Sequence, residues 1–503
     1  MVGSANMNGN FGSLLSAGSG AVIDGSRQFR LVTASALDRW IDELARGLAA
    51  LPLEPASRIA LLGENSAGYL ALYFAIMRAG HVAVPLNHRL PDETLHFMLD
   101  DAEVSLVARD LPFAARVPRP VPTIGLDAPA GELLDQLSAT AVRHTADNVR
   151  FAGLCKILYT SGSTGRPKGV LLAHEGMRWA LARGLEDLVG VQGETGLVVA
   201  PFYHKNGLYF SSLLLASGNR IVILPRFSAS AYLDAIVTQR CSWLTGVPTM
   251  FALLAREDWQ RRELDHVTRI NVGSAPLSDS LLETMRRMFP AASITNGYGT
   301  TEAGPAIFTR AGLGPDACPR ALGRPVPGIE LRLGDGDTAV GVDEGILSVR
   351  APSLMRGYLN LPGQTAQTLR DGWLVTGDIM RRDAEGVYSF VGRADDMFVC
   401  GGENIYPAAV ESLLERCPGV EQAAVLPLAH ETKGQVPVAC VVRAPGSSLS
   451  AEELKAWSIA HGPAYAHPRQ ILFCKALPMG TTLKVDKRAL ATRFDEGRGS
   501  SAA

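Results

Sequence analysis

The chain lacks any apolar run of the roughly 18 residues needed to cross a bilayer, so no membrane span is expected in its 503 residues. A cysteine framework is missing as well. The seven cysteines (Cys155, Cys241, Cys318, Cys400, Cys417, Cys440 and Cys474) are dispersed, odd in number and without a Cys-x-x-Cys pair. That argues against a zinc site or a disulfide scaffold and fits a reducing, cytoplasmic setting. Nor is there an excess of charge of either sign: 48 Lys+Arg against 50 Asp+Glu leave a net charge of -2, so neither a nucleic-acid surface nor a polybasic membrane patch is indicated. A small-molecule partner is the expectation. Residues 1–25, rich in Gly, Ser and Asn, have neither the basic nor the apolar region of a secretion signal and read as a frayed terminus.

What is present is a long alternation of helical and strand periods, enough for about three domains or subdomains. Apolar residues recur at helical spacing over 37–51 and 65–79, with strand-like segments at 58–62 and 82–86. Further strands are expected at 197–200, 220–224, 243–245, 270–272 and 293–295, separated by helices such as 231–240 and 278–288. This is the pattern of layered, largely parallel α/β sheets. Short alternating segments between 325 and 352 suggest a small antiparallel unit. After 392 a compact α+β module follows, with helices at 407–416 and 451–461 and strands at 420–426 and 437–442.

The chemistry-bearing stretch is Tyr159-Thr-Ser-Gly-Ser-Thr-Gly-Arg-Pro-Lys-Gly169. Gly162, Gly165 and Gly169 let the backbone turn tightly and present N–H groups. Thr160, Ser161, Ser163 and Thr164 add short donors, and Lys168 a positive charge, which together suit phosphate. It is not a Walker A loop, because Arg166 and Pro167 separate the lysine from the second glycine and Gly169 follows it. Downstream, Gly297, Gly299, Thr300 and Thr301 could bring donors to a phosphate, Tyr298 offers a flat face to a purine, and Glu302 a carboxylate to Mg²⁺.

Taken in order, the opening loop, Asn296-Gly-Tyr-Gly-Thr-Thr-Glu302, Thr376-Gly-Asp378, and Gly392-Arg393 through Gly401-Gly-Glu-Asn-Ile-Tyr-Pro407 resemble the motifs of the acyl-adenylate-forming superfamily. The resemblance covers about residues 30 to 490 and is nearest to compact CoA ligases for aryl or short acyl acids. It implies an ATP-dependent carboxylic acid:CoA ligase that forms acyl-AMP and then a thioester, or an acyl-AMP ligase that loads a carrier protein. It implies ATP, Mg²⁺ and coenzyme A as cofactors, a large N-terminal domain over 1–394 and a mobile C-terminal domain over 395–503. A homodimer is compatible with it.

The roles carried by the resemblance attach to matching positions. Lys484 is the catalytic lysine, preceded by Leu483 where the family often has glycine. Thr300 lies near the α-phosphate, Glu302 holds Mg²⁺, Tyr298 and the turn Gly273, Ser274 and Ala275 meet the adenine, Asp378, which follows Gly377 in an expected loop, the ribose and Arg393 the nucleotide. Asp395 is the hinge, and Gly401 and Gly402 line a pantetheine tunnel after rotation. His204 stands between the nucleotide and acyl pockets. Lys205 and Arg183 fall near the acyl pocket and suggest a polar or anionic substituent on the acid, since an unpaired buried cation is costly. Gly297 stands where the malonate-activating branch has an arginine, which counts against malonate. His467 and Arg469 replace the usual basic groups for the CoA phosphates.

Overall fold

The computed structural model describes residues 10–14, 20–118, 121–126, 153–160, 166–188, 191, 193–273, 275, 277–310, 313, 321–334, 343–430, 432–480 and 485–499. Two seven-stranded sheets, both mainly parallel, form the framework. The first runs Gly357–Tyr358, Lys168–Ala173, Leu154–Thr160, Val82–Pro85, Arg58–Leu62, Val104–Arg109, Thr123–Gly125. The second runs Ser293–Gly297, Arg269–Gly273, Trp243–Gly246, Thr195–Val198, Arg220–Ile223, Ala21–Asp24, Arg30–Thr33. The sequence expectation of parallel α/β layers holds. Strand ends move by a residue or two, most at Thr195–Val198, where the expected strand began at Leu197.

Between the sheets lies the helix Ala67–Arg78, in which every residue from Ala67 to Met77 is buried. A helix apolar on all sides must be enclosed on all sides, and the hydroxyl of Ser66 starts it by accepting from the Tyr69 amide. The neighbouring helix Ala34–Ala50 is amphipathic instead, with Leu37, Ile41, Leu44 and Leu48 inward, and Thr33 as its N-cap. One continuous core joins the two sheets through these helices.

The antiparallel unit is larger than 325–352. It holds Phe308–Thr309, Ala321–Pro325, Tyr388–Arg393, Trp373–Arg382, Glu344–Arg350 and Glu330–Leu333 in that order, with Leu369–Arg370 on the side of Trp373–Arg382. The motif Thr376–Asp378, expected in a loop, lies inside the long strand Trp373–Arg382. Gly377 masks that strand in the sequence; its φ of +73° explains why glycine is kept there.

The C-terminal part is a five-stranded sheet built on Gly434–Arg443, which pairs with Val420–His430, Phe398–Cys400 and Gln470–Cys474. The helix Ala451–His461 opens with a capping box between Ser450 and Glu453. Dispersed cysteines meet here: Cys440 and Cys474 lie with their sulfurs 3.0 Å apart, both as free thiols. This part touches the rest through the helix Pro407–Leu414 against Tyr388–Arg393. A second link is an ion pair in which Arg256 Nη2 lies 2.9 Å from Glu421 Oε1. Among the described residues no helix is long and apolar enough to cross a membrane.

Candidate active site

A cavity of about 1340 Å³ opens where the two parallel sheets meet the antiparallel one. It gathers residues from all four motifs: Thr160, Lys168, Arg183, His204, Lys205, Gly273, Ala275, Tyr298, Thr300, Thr301, Glu302, Asp378, Arg393 and Asp395 line it. Gly401 and Gly402 do not. They form an exposed turn between Phe398–Cys400 and Glu403–Ile405, with φ of +61° and +92°. Ser161, Gly162, Ser163, Thr164, Ser274 and Lys484 lie outside the described residues.

The flanks of the opening loop pair with one another. They are the antiparallel strands Leu154–Thr160 and Lys168–Ala173, and Thr160 faces Lys168 as their last rung. Lys168 is therefore held by strand pairing rather than carried on the loop. Thr160 Oγ1 is buried with no hydrogen-bond partner among the described residues, a donor left for a ligand. The short strand Gly357–Tyr358 pairs with the outer edge of Lys168–Ala173. The Tyr358 hydroxyl donates to Glu302 Oε1 at 3.1 Å, and the Lys168 ammonium stands 4.7 Å from the centre of the Tyr358 ring. Burial and then the Glu302 charge push the Tyr358 hydroxyl above the usual phenol range, keeping its proton in place.

Asp378 sits at the centre of the second cluster and is 4% exposed. It accepts a hydrogen bond from the Tyr298 hydroxyl and one from Arg393 Nη1 at 2.8 Å. Arg393 is its cross-strand partner and also grips Asp395 with Nε at 2.7 Å and Nη2 at 3.1 Å. Burial raises the Asp378 carboxyl above its ordinary range against the pull of Tyr298 and Arg393. Asp395 is pushed up by its own partial burial, but the hydrogen bonds and charge of Arg393 outweigh this and hold it low. Burial also works against the Arg393 charge, yet the two aspartates raise it overall. Glu302 lies within a turn in which Thr300 Oγ1 accepts from the Ala303 amide at 2.9 Å. Gly299 is forced there, since a Cβ would stand 2.4 Å from the Pro305 carbonyl.

Away from this charged end, the wall is a sheet face. Three adjacent strands send alternate residues to the cavity, and these are in register: Thr245, Asn271 and Thr295 in one rung, Trp243, Arg269 and Ser293 in the next. Their apolar members, among them Leu244, Ile270 and Val272, enter the core behind. Asn271 accepts from the Trp243 indole N–H and donates to Thr295 Oγ1 at 2.9 Å. Facing it, the helix Lys205–Ala216 presents Tyr209, Phe210 and Leu213 to the cavity.

One reading of the acyl end needs correction. Arg183 lines the cavity but is not an unpaired cation; it is bound to Glu186 one turn on. Lys205 donates to the Gly304 carbonyl at 3.3 Å, a hydrogen bond that leaves its charge in place. A lone buried charge is therefore not what Arg183 presents, because Glu186 answers it. His204 occupies the N-cap of the helix Lys205–Ala216, its ring edge-on to Tyr203 at 4.7 Å. His467 and Arg469, on the C-terminal part, pack on one another, Arg469 Nη1 donating to the His467 carbonyl at 2.7 Å.

The donor set around Glu302 fits Mg²⁺: a carboxylate with neutral oxygen neighbours, Thr300 and Thr301, and no nitrogen or sulfur ligand cluster among the described residues. Sequence reasoning missed Tyr358, Asn271, Thr295 and Tyr209. A signal existed for two of them. Strands buried on both faces read as unbroken apolar runs, so Arg-Ile-Asn-Val-Gly at 269–273 and Ser-Ile-Thr-Asn-Gly at 293–297 announce a face that lines a cavity. Tyr358 had no such signal, as its place follows from pairing with a strand far away in sequence.

The chain matches two family models in chain order: AMP-binding enzyme over residues 17–359, and AMP-binding enzyme C-terminal domain over residues 409–484. It is 34% identical over 467 residues to a feruloyl-CoA synthase of Amycolatopsis sp., covering 92% of this chain and 94% of that one. An indoleacetate–CoA ligase of Aromatoleum aromaticum is 32% identical over 475 residues, covering 90% and 92%. Among solved structures, ATP-bound MatB from Rhodopseudomonas palustris superposes with a TM-score of 0.84 at 27% identity, covering 96% of this chain and 98% of that one. With a phosphate-suited hairpin, a buried aspartate cluster and a Thr-Thr-Glu turn gathered in one cavity, the chain belongs to the AMP-binding enzyme family.

Proposed function

We propose that this enzyme activates a flat, aromatic carboxylic acid bearing a hydrogen-bonding substituent. The chain is an ATP-dependent acid:CoA ligase, and its two half-reactions are formation of acyl-AMP with release of pyrophosphate, then displacement of AMP by the CoA thiol. The observation that carries the choice of acid is the Thr245–Asn271–Thr295 rung opposite Tyr209 and Phe210: an aromatic-lined slot with hydrogen-bonding groups on its floor. Strands rise about 3.3 Å per residue, so this rung lies roughly 7 Å below the Gly273–Gly297 rung at the nucleotide end, about the length of a benzene ring with its substituents. The feruloyl and indoleacetate relatives support an aromatic acid. The paired state of Arg183 favours a neutral polar substituent over an anionic one.

In this reading Asp378 accepts the ribose hydroxyls, Tyr298 and the turn at Gly273 to Ala275 flank the adenine, and Thr160, Ser161 to Thr164 and Lys168 hold the β and γ phosphates. Glu302, with Thr300 and Thr301 beside it, would hold Mg²⁺, which when bound offsets the negative charge of the phosphates. His204 orients the acid's carboxylate at the helix N-terminus, where the dipole favours an anion. Lys484 places a positive charge between carboxylate and α-phosphate as they approach, the kind of electrostatic help worth roughly a hundredfold or more in rate. Residues 395–503 then turn about Asp395, bringing Gly401 and Gly402 to the pantetheine. The free thiols among the described cysteines suit a reducing cytoplasm.

The test is pyrophosphate release over a panel of hydroxylated, unsubstituted and aliphatic acids, with and without CoA. Hydroxylated aromatic acids should lead, and the signal should vanish in Lys484→Ala. A preference for plain fatty acids, or exchange that survives loss of Lys484, would overturn the reading.

A further inference from the structure

We infer that Tyr358 is a positioning residue that holds Glu302 and Lys168 ready for Mg·ATP while keeping them from pairing with each other. This rests on the reading of those two residues as the metal and phosphate groups. Both charges touch the same side chain by different means: Glu302 takes the hydroxyl hydrogen bond at 3.1 Å, and Lys168 stands over the ring face at 4.7 Å. They form no ion pair with one another.

Opposite charges brought this near would ordinarily collapse together, and the ligand would then have to break the pair before using either member. A phenol avoids that. Its hydroxyl satisfies one carboxylate oxygen without cancelling the negative charge, and its π face attracts the ammonium without cancelling the positive one. Each charge stays at full strength and close to the place it is needed.

The tyrosine is itself fixed by backbone. Tyr358 pairs with Val170 in the strand that carries Lys168, and the Leu359 amide donates to the Gly169 carbonyl at 2.7 Å. Thr365 Oγ1 accepts from the Tyr358 amide and donates to the Leu361 carbonyl, both at 2.9 Å. Gly357 must be glycine for the chain to pass Thr365, with φ of +148° and a Cβ that would stand 2.9 Å from Thr365 Cγ2. Glu302 is tied to the same segment through its carbonyl, which accepts from the Met355 amide at 2.7 Å. Hairpin and turn, separate in sequence, are thus set relative to each other through residues 355–359.

The experiment measures Mg·ATP binding calorimetrically, without acid, across a series of Mg²⁺ concentrations. Tyr358→Phe keeps the ring and its volume, so the fold is retained; losing a hydrogen bond to a charged group should weaken Mg·ATP binding roughly tenfold, with a smaller change for ATP in EDTA. In a double-mutant cycle, Tyr358→Phe should add little in the Glu302→Gln background. Tyr358→Leu, which also removes the π face, should weaken binding further. Binding unchanged in Tyr358→Phe, or effects that multiply in the double variant, would overturn the inference. If Glu302→Gln and Lys168→Ala themselves leave Mg·ATP binding unchanged, the underlying site assignment fails instead.

Discussion

Arg393 is the cross-strand neighbour of Asp378 and spends its guanidinium on two carboxylates at once, Asp378 at 2.8 Å and Asp395 at 2.7 Å. The proposed ribose acceptor and the proposed hinge therefore share one cation. Arg393→Ala should damage both: Asp378 loses a charged partner in a buried place, and Asp395 its anchor. Weakening of ATP binding by tenfold or more is expected, and Arg393→Lys should recover little because one ammonium cannot serve two forks. Nucleotide titration of the three proteins checks this.

Gly184 makes room for Tyr209: a Cβ there would stand 2.3 Å from the Tyr209 hydroxyl, and both line the acyl end. Gly184→Ala should drive Tyr209 into the slot, raising KM for bulky aromatic acids at least several-fold while leaving KM for ATP alone. Steady-state kinetics on a short and a long acid gives the comparison. Asn271→Leu should instead relax selection among ring substituents, since beyond its bonds to Trp243 and Thr295 the Asn271 amide keeps a second N–H and a second lone pair, which an unsubstituted acid leaves unmet.

Low pH should destabilise the fold through histidines buried in the neutral form. Burial lowers His81, His88 and His174 to about 4. Between that value and the ordinary 6.5 the unfolded chain binds protons that the folded one does not, so stability rises with pH across this window and is lost as pH falls through it. Melting temperature should be nearly level above pH 7 and drop steadily from pH 6.5 to 4.

Lys156 extends the same trend to high pH. It is 4% exposed, its ammonium nitrogen donates to the Tyr73 hydroxyl at 3.1 Å, and burial lowers its pKa. The unfolded chain keeps this proton up to about 10.5, so the penalty for folding grows as pH falls below that value. Replacing the pair together (Lys156→Met with Tyr73→Phe) should raise the melting temperature by a few degrees, more near pH 7 than above about pH 10.5, where the lysine is neutral in both states. An equal gain at both values would refute the electrostatic cause.

Strand and helix order was legible because periodicity reports burial, and burial is what these sheets impose. The site was legible where glycine, hydroxyl and charge lie close together in sequence, as in 159–169 and 296–302. Reading Asp378 as a loop residue failed because Gly377 imitates a turn inside a long strand. The inference from Arg183 failed for another reason: the sequence shows a cation but not that Glu186, three residues on, will answer it. Tyr358 depends on its short strand pairing with the distant strand Lys168–Ala173, which no local pattern encodes.

The Arg256–Glu421 bridge joins the body of the molecule to its C-terminal part, with the two side chains 36% and 24% exposed. Partly solvated pairs contribute about 0–1 kcal/mol. The proposed turn of residues 395–503 about Asp395 would break this one, so beyond the packing of the helix Pro407–Leu414 the bridge itself favours the resting orientation by no more than a few-fold, and less as salt screens it. Ionic strength then becomes a control on timing: adding salt should shorten the wait between the two half-reactions without touching the chemistry of either.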